Sequence, residues 1–242
     1  MLGIDKKKFI FKIKEIWFAD KPFEVGDCDS VFFRSCKNKM DAAGFARKDF
    51  TTLIIDLKQN LEDIWKSMDK SSCRYFINRA EKEGIAIKVN QGYEDFYKIN
   101  KQLRRGKGLE TGITGSPNFI KKYGTLFVAE YKKEIIAGCL FLEDDSHIRW
   151  LLGASKRLKS KDMAKLSGDA NRLLLWEAIK YAKQKGIREF DFGGYYIGEK
   201  KDEQKERINN FKKSFGGKLA THYVYQKDYS KLFSIIKKLA IS

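Results

Sequence analysis

From Phe9 to Phe18 apolar and charged positions roughly alternate, and Asp29–Phe33 and Thr51–Leu57 are short runs rich in β-branched and aromatic residues. Spacing of this kind predicts strands in this N-terminal stretch, with the polar segment Arg34–Lys48 as a loop between them. The period changes at Asn60. Asn60 followed three residues later by Asp63 fits a helix N-cap, and Leu61, Ile64, Trp65 and Met68 fall on one helical face. A second helix is predicted over Arg74–Glu83, stopped by Gly84 at the left-handed position that follows helix ends, with a strand over Ile85–Val89.

Two further helices, Tyr93–Leu103 and Pro117–Tyr123, flank a glycine-rich basic loop, Arg104–Gly115. Then comes a β-meander, Thr125–Tyr131, Ile135–Leu142 and His147–Ala154, whose short connections require antiparallel neighbours. Leu175, Ala178, Ile179 and Ala182 stripe a helix over Asp169–Lys185, which Gly186 closes before the strand Arg188–Phe192. A helix over Glu203–Ser214, a strand over Lys218–Gln226 and a tail helix from Tyr229 complete the order, with no internal repeat. Antiparallel strands followed by a helical crossover define a mixed α/β (α+β) class. Three blocks are expected: a short strand-rich module over 1–58, a core over 59–228 and an amphipathic tail over 229–242.

The 242 residues, 43% of them hydrophobic, suffice for a buried core, and the two prolines, Pro22 and Pro117, leave no linker-like run. The 49 Lys and Arg against 32 Asp and Glu set up a positive field that favours anionic partners, or simply a solubilising surface. Cys28, Cys36, Cys73 and Cys139 are too widely spaced for a CxxC redox or zinc pattern and read as free thiols. His147 and His222 have no triad or metal-site pattern around them, so no metal is assigned. Lysines interrupt the apolar positions of the N-terminus, and no apolar run approaches the roughly 18 residues of a membrane span. Cytoplasmic residence is the expectation. The tail helix offers a second element to it: Leu232, Phe233, Ile236 and Leu239 lie to one side and Lys231, Lys237 and Lys238 toward the other, a pattern that suits docking on the protein's own core or peripheral contact with an anionic membrane at its inner face.

Three segments resemble the FemAB-like branch of the GNAT acyltransferase superfamily, the peptidoglycan-bridge aminoacyltransferases and their relatives. They are Arg74–Ile85, Leu173–Gly194 with its Phe-Asp-Phe-Gly-Gly end, and Phe211-Lys-Lys-Ser-Phe-Gly-Gly217. The resemblance implies a GNAT-like fold, a mixed and mostly antiparallel sheet flanked by helices with an abbreviated N-terminal GNAT-like module packed on it. It also implies transfer of an acyl group to an amine. At the position matching Lys212, beside Phe211, the family has a lysine associated with stabilising the tetrahedral intermediate; a fixed ammonium suits that task, one good oxyanion donor being worth roughly 3 kcal/mol. Gly193 and Gly194 expose backbone N–H groups to a carbonyl or phosphate, or form only a tight turn. Asp191 stands to bind an acceptor amine or cap a neighbouring loop, Tyr195 continues the same wall, and Arg74 and Arg79 match basic positions that could hold phosphates. Arg207-Ile-Asn-Asn210 departs from the family, which has Gly before the Phe-Lys pair.

No cofactor is expected to be tightly bound; the donor is a substrate, aminoacyl-tRNA or acyl-CoA. Residues 155–170 are basic but lack the Arg/Gln-x-x-Gly-x-Gly/Ala loop that cradles a pyrophosphate, which favours tRNA phosphates over coenzyme A. Against tRNA stands the chain's size, since relatives known to use it generally carry two complete GNAT modules. The implied reaction is aminoacyl transfer to the amine of a cell-envelope precursor or another small or lipid-linked acceptor. Alternatives are acyl-CoA-dependent N-acetylation of an amino sugar and, more distantly, a non-catalytic nucleic-acid-binding module.

Overall fold

The computed structural model describes residues 1–109, 113–156 and 161–239. The chain divides into two compact units, Met1–Thr52 with Leu219–Ser242, and Leu53–Lys218.

In the first unit, β1 (Leu2–Lys8) and β2 (Phe11–Trp17) form a hairpin with Leu2 opposite Trp17 and Lys8 opposite Phe11. β2 runs parallel to β3 (Ser30–Cys36), and β3 pairs antiparallel with the late strand β10 (Lys218–Asp228), Ser30 facing Asp228. Ile16, Val31, Phe33 and Tyr225 fill the unit's core. The helix α7 (Lys231–Leu239) sets its Phe233 ring 5.1 Å from Phe11. The predicted loop Arg34–Lys48 is narrower than its polarity suggested, because β3 runs on to Cys36 and β4 (Ala46–Asp56) begins at Ala46.

The second unit takes the end of β4 and orders its strands β4-β9-β8-β7-β6-β5. The outer four are β5 (Ala86–Val89), β6 (Thr125–Tyr131), β7 (Glu134–Glu143) and β8 (His147–Ser155), all antiparallel; the meander predicted this for β6, β7 and β8. β9 (Glu189–Gly194) lies parallel to β8, the direction required once the long helix α5 (Lys161–Gln184) carries the chain back across the sheet. Leu173, Leu174, Ala178, Ile179 and Ala182 of α5 are buried in one cluster with Ile77, Phe141, Phe190 and Phe215.

The caps fall where short polar side chains were placed for them. Asn60 accepts from the Asp63 amide at 2.8 Å at the head of α1 (Leu61–Ser67). Asp69 gathers the amides of Ser71 and Ser72 above a π-turn, Lys70–Arg74, that leads into α2 (Tyr75–Lys82). α3 (Tyr93–Arg105) and α4 (Pro117–Tyr123) follow, α4 capped by Ser116. Of the basic loop predicted between them, residues 110–112 lie outside the described residues, as do 157–160 of the basic stretch before α5. Asp202 caps α6 (Glu203–Lys213) by accepting from the Lys205 amide at 3.0 Å. Cys36, Cys73 and Cys139 are buried free thiols and Cys28 is a half-buried one.

Candidate active site

Where β8 and β9 run side by side, Arg149 stands opposite Asp191. The two side chains are ion-paired, Nη1 donating to Oδ2; Asp191 is buried and Arg149 partly so. The other carboxylate oxygen of Asp191 accepts the Gly193 amide at 2.7 Å. Asp191 thus does what a capping residue does, and holds the turn at the end of β9. Gly193 takes φ 76°, and a Cβ there would come within 3.2 Å of the Trp150 carbonyl oxygen. At Gly194 a Cβ would meet nothing within 4 Å, so the packing imposes no glycine there.

Lys212, in the last turn of α6, reaches back to this turn. Its Nζ donates to the Gly194 carbonyl at 2.5 Å and lies 5.8 Å from the centre of the Trp150 ring. It is buried, whereas the neighbouring Lys213 is exposed, which separates two lysines that the sequence leaves side by side. Burial brings the Lys212 ammonium down to about 8, the nearby Arg149 cation adds to the fall, and Asp191 opposes it. An ammonium in that range is mostly charged at neutral pH yet able to part with its proton. It carries three N–H donors, of which Gly194 takes one.

The wall around Lys212 is aromatic and cationic. Trp150 stands 6.2 Å from Phe211 and 5.8 Å from the ammonium. A β-bulge beside it inserts an extra residue into β8, since Phe141 faces Trp150 while the preceding Leu140 faces Leu152. Phe211 packs on Phe215, and the Arg172 guanidinium lies 5.0 Å from the Phe211 ring and 4.7 Å from Phe76. Arg172 is fixed by donating to the carbonyls of Ser72 at 2.7 Å and Gly168 at 3.1 Å. Tyr195 is half-buried against the core, and the Asn209 side chain bridges the amide and carbonyl of Tyr196, so α6 grips the segment that follows the turn.

Lys212, Phe211, Gly193, Gly194 and Asp191 therefore lie close together. The two arginines of α2 and its entry part company. Arg79 is bound by both oxygens of Asp169, at 2.6 and 2.9 Å, and stacks on Phe76 at 4.7 Å. Arg74 keeps its Nε buried without a hydrogen-bond partner among the described residues. Arg149, Trp150, Arg172 and Asn209 escaped the sequence reading; a cation inside the apolar strand Ile148–Leu152 was the one signal for Arg149. His147 bonds Asp144 at 2.9 Å, a contact within the turn before β8. No group of three or more metal-ligating side chains occurs among the described residues. An open depression lined by Lys88, Asp95, Lys98, Glu130, Glu134 and Lys156 sits elsewhere, with these three lysines paired with these three carboxylates.

Residues 69–212 match the family described as acetyltransferase (GNAT) domain. No curated protein sequence matches the chain. Among solved structures it is similar to FemX, with 14% identity and a TM-score of 0.67 over 97% of this chain and 86% of that one. It is also similar to L-PGS from Bacillus licheniformis, with 15% identity and a TM-score of 0.56 over 85% of this chain and 70% of that one. Identities this low speak to the fold, and the fold they share is the one derived above. The family match spans α2, the meander, α5, β9 and Lys212 itself, and the chain is accordingly an acyltransferase belonging to the GNAT acetyltransferase-domain family.

Proposed function

We propose that the protein forms an amide bond by moving an aminoacyl group from aminoacyl-tRNA to the amine of a cell-envelope precursor or similar acceptor, and that Lys212 is the catalytic residue. The observation that carries the reading is the buried Lys212 ammonium beside the Gly193-Gly194 turn, the one lysine in the matched motif withdrawn from solvent and aimed at open backbone. The acceptor nitrogen attacks the ester carbonyl and a C–N bond forms. The developing oxyanion takes the two N–H donors of Lys212 not engaged by Gly194. Collapse breaks the C–O bond to the donor, and the proton lost by the amine passes to the departing oxygen. Trp150 and Phe211 keep water from the ammonium, which strengthens its pull on the oxyanion. Arg74 is the phosphate contact; Arg79, held by both oxygens of Asp169, positions Phe76 instead. Asp191 supports the substrate-binding turn through the Gly193 amide, and Tyr195 lines its far side.

The description of the matched family favours a second reading, an acyl-CoA donor, in which a C–S bond breaks and the thiolate takes the proton. Single-turnover assays of the full chain with each donor separate the two: amide product from aminoacyl-tRNA supports the first, and saturable thermal stabilisation by micromolar acetyl-CoA together with acetyl transfer supports the second. Full activity of a well-folded Lys212→Ala protein with its own substrates would discard the assigned mechanism under either donor.

A further inference from the structure

The tip of the β1–β2 hairpin is built from two large apolar residues facing water. Phe9 is 82% exposed and Ile10 73%. Phe9 also has φ 56°, the left-handed region where turns ordinarily place Gly or Asn. A phenylalanine there packs on nothing, so folding gives no reason for it, and an outlier of this kind points to a task outside the fold.

In the same unit α7 turns only Phe233 inward, against Phe11. Leu232, Ile235, Ile236 and Leu239, at the i, i+3, i+4, i+7 spacing of one helical stripe, are 54%, 57%, 43% and 71% exposed. The expected docking of the tail on the protein's own core thus holds for one ring, and leaves an apolar stripe bare. Cations outnumber acids around both features: Lys7, Lys8 and Lys12 are exposed on the hairpin and Lys231 on α7, against one exposed hairpin carboxylate, Asp5, while Glu15 is buried and paired with Lys6 at 2.9 Å and Arg34 at 3.3 Å. The Phe11–Phe233 contact ties the hairpin to the helix right beside the turn, since Phe11 pairs with Lys8, so the lysines flank one apolar region.

We propose that the β1–β2 tip and the outer stripe of α7 together form a docking surface for an anionic lipid bilayer, with Phe9 and Ile10 as an insertion wedge and α7 lying in the headgroup plane. Apolar side chains that enter the acyl boundary while adjacent lysines meet lipid phosphates are the two contributions that hold peripheral proteins on such membranes. A second copy of the chain is a poorer occupant: self-association through this patch would bring Lys7, Lys8, Lys12 and Lys231 toward their own like charges. The inference is independent of the acyl-transfer reading, since it uses none of that site's residues.

The test is co-flotation of the full chain with mixed phosphatidylglycerol–phosphatidylcholine vesicles and with pure phosphatidylcholine vesicles. Expected is binding to the anionic vesicles only, weakened by salt, and weakened by about tenfold or more in each of two variants, Phe9→Ser with Ile10→Ser and Leu232→Ser with Ile236→Ser. All four positions are exposed, so melting temperatures should be unchanged. Three results would each overturn the proposal: no flotation with anionic vesicles; flotation undiminished in both variants, which is adhesion by charge alone; or a concentration-dependent dimer in light scattering that both variants dissolve.

Discussion

Replacing Lys212 by Met keeps an unbranched side chain about one atom shorter and removes its charge, and the structure predicts opposite effects on stability and on rate. Burial and Arg149 have brought the ammonium from 10.5 to about 8. That fall corresponds to about 3 kcal/mol by which folding disfavours the charged form. Methionine removes this cost and forfeits the bond to Gly194, worth about 1 kcal/mol, so Lys212→Met should be more stable than wild type by about 2 kcal/mol at neutral pH. The sign follows from proton uptake. Between pH 8 and 10.5 the unfolded chain holds a proton on Lys212 that the folded chain has released, so wild-type stability rises with pH across that window. In the variant this contribution to the rise disappears. Catalysis should move the other way, with single-turnover rates down by about a hundredfold. In the wild type the rate should decline above about pH 8, as roughly nine-tenths protonation at pH 7 drops to about one-tenth at pH 9. Urea melts at several pH values and rate–pH profiles measure both quantities. A Lys212→Met protein that is less stable, keeps the alkaline rise and retains its rate would refute the reasoning.

Other outcomes follow from the same geometry. Gly193→Ala should destabilise the protein by about 1–2 kcal/mol, because alanine is strained at φ 76° and crowds the Trp150 carbonyl, whereas Gly194→Ala should leave stability within about 0.5 kcal/mol and still slow transfer if substrate approaches the backbone there; thermal melts beside rate assays check the pair. Asp191→Asn removes the carboxylate charge that faces the partly buried Arg149, which should cost about 1–3 kcal/mol in denaturant melts, and it removes the group that holds the Lys212 ammonium up, so the alkaline decline in rate should begin at lower pH. Gly217→Ala drives a Cβ to within 2.7 Å of the Ile54 carbonyl at φ 89°, and should lower the melting temperature with no change in the pH profile.

The meander, the helices and their caps were legible because their causes are local: a run of alternating residues, an Asn or Ser three positions before an amide. α5 shows where that ends. Its apolar stripe begins near Leu173, so the sequence places the helix start at Asp169, but the helix begins at Lys161 and buries Ser167 and Asp169 in its early turns. Asp169 belongs there because Arg79, ninety residues earlier in the chain, neutralises it. The candidate site divides in the same way. Phe211, Lys212, Gly193 and Gly194 were found through a motif, but the pairing of Arg149 with Asp191 depends on a parallel register across a crossover, which no spacing reveals. The hairpin tip is hidden for a different reason: Phe9-Ile10-Phe11 is an apolar run with no turn-forming residue, and only the backbone shows that the chain reverses at Phe9 and Ile10.

The end-to-end closeness of Leu53–Lys218 carries a consequence for how the chain acquires its shape. The Ile54 carbonyl and Gly217 lie in near contact, so the chain leaves that unit almost where it entered. Of the strands before it, β3 depends on a partner that follows the whole of that unit. β3 waits longest, since Ser30 is synthesised early and its partner Asp228 nearly two hundred residues later. Until β10 emerges, the far edge of β3 is an unpaired ladder. Folding of the acyltransferase unit shortens that gap to a closed loop and brings the two edges within reach, which makes the order of assembly during synthesis a property of the topology.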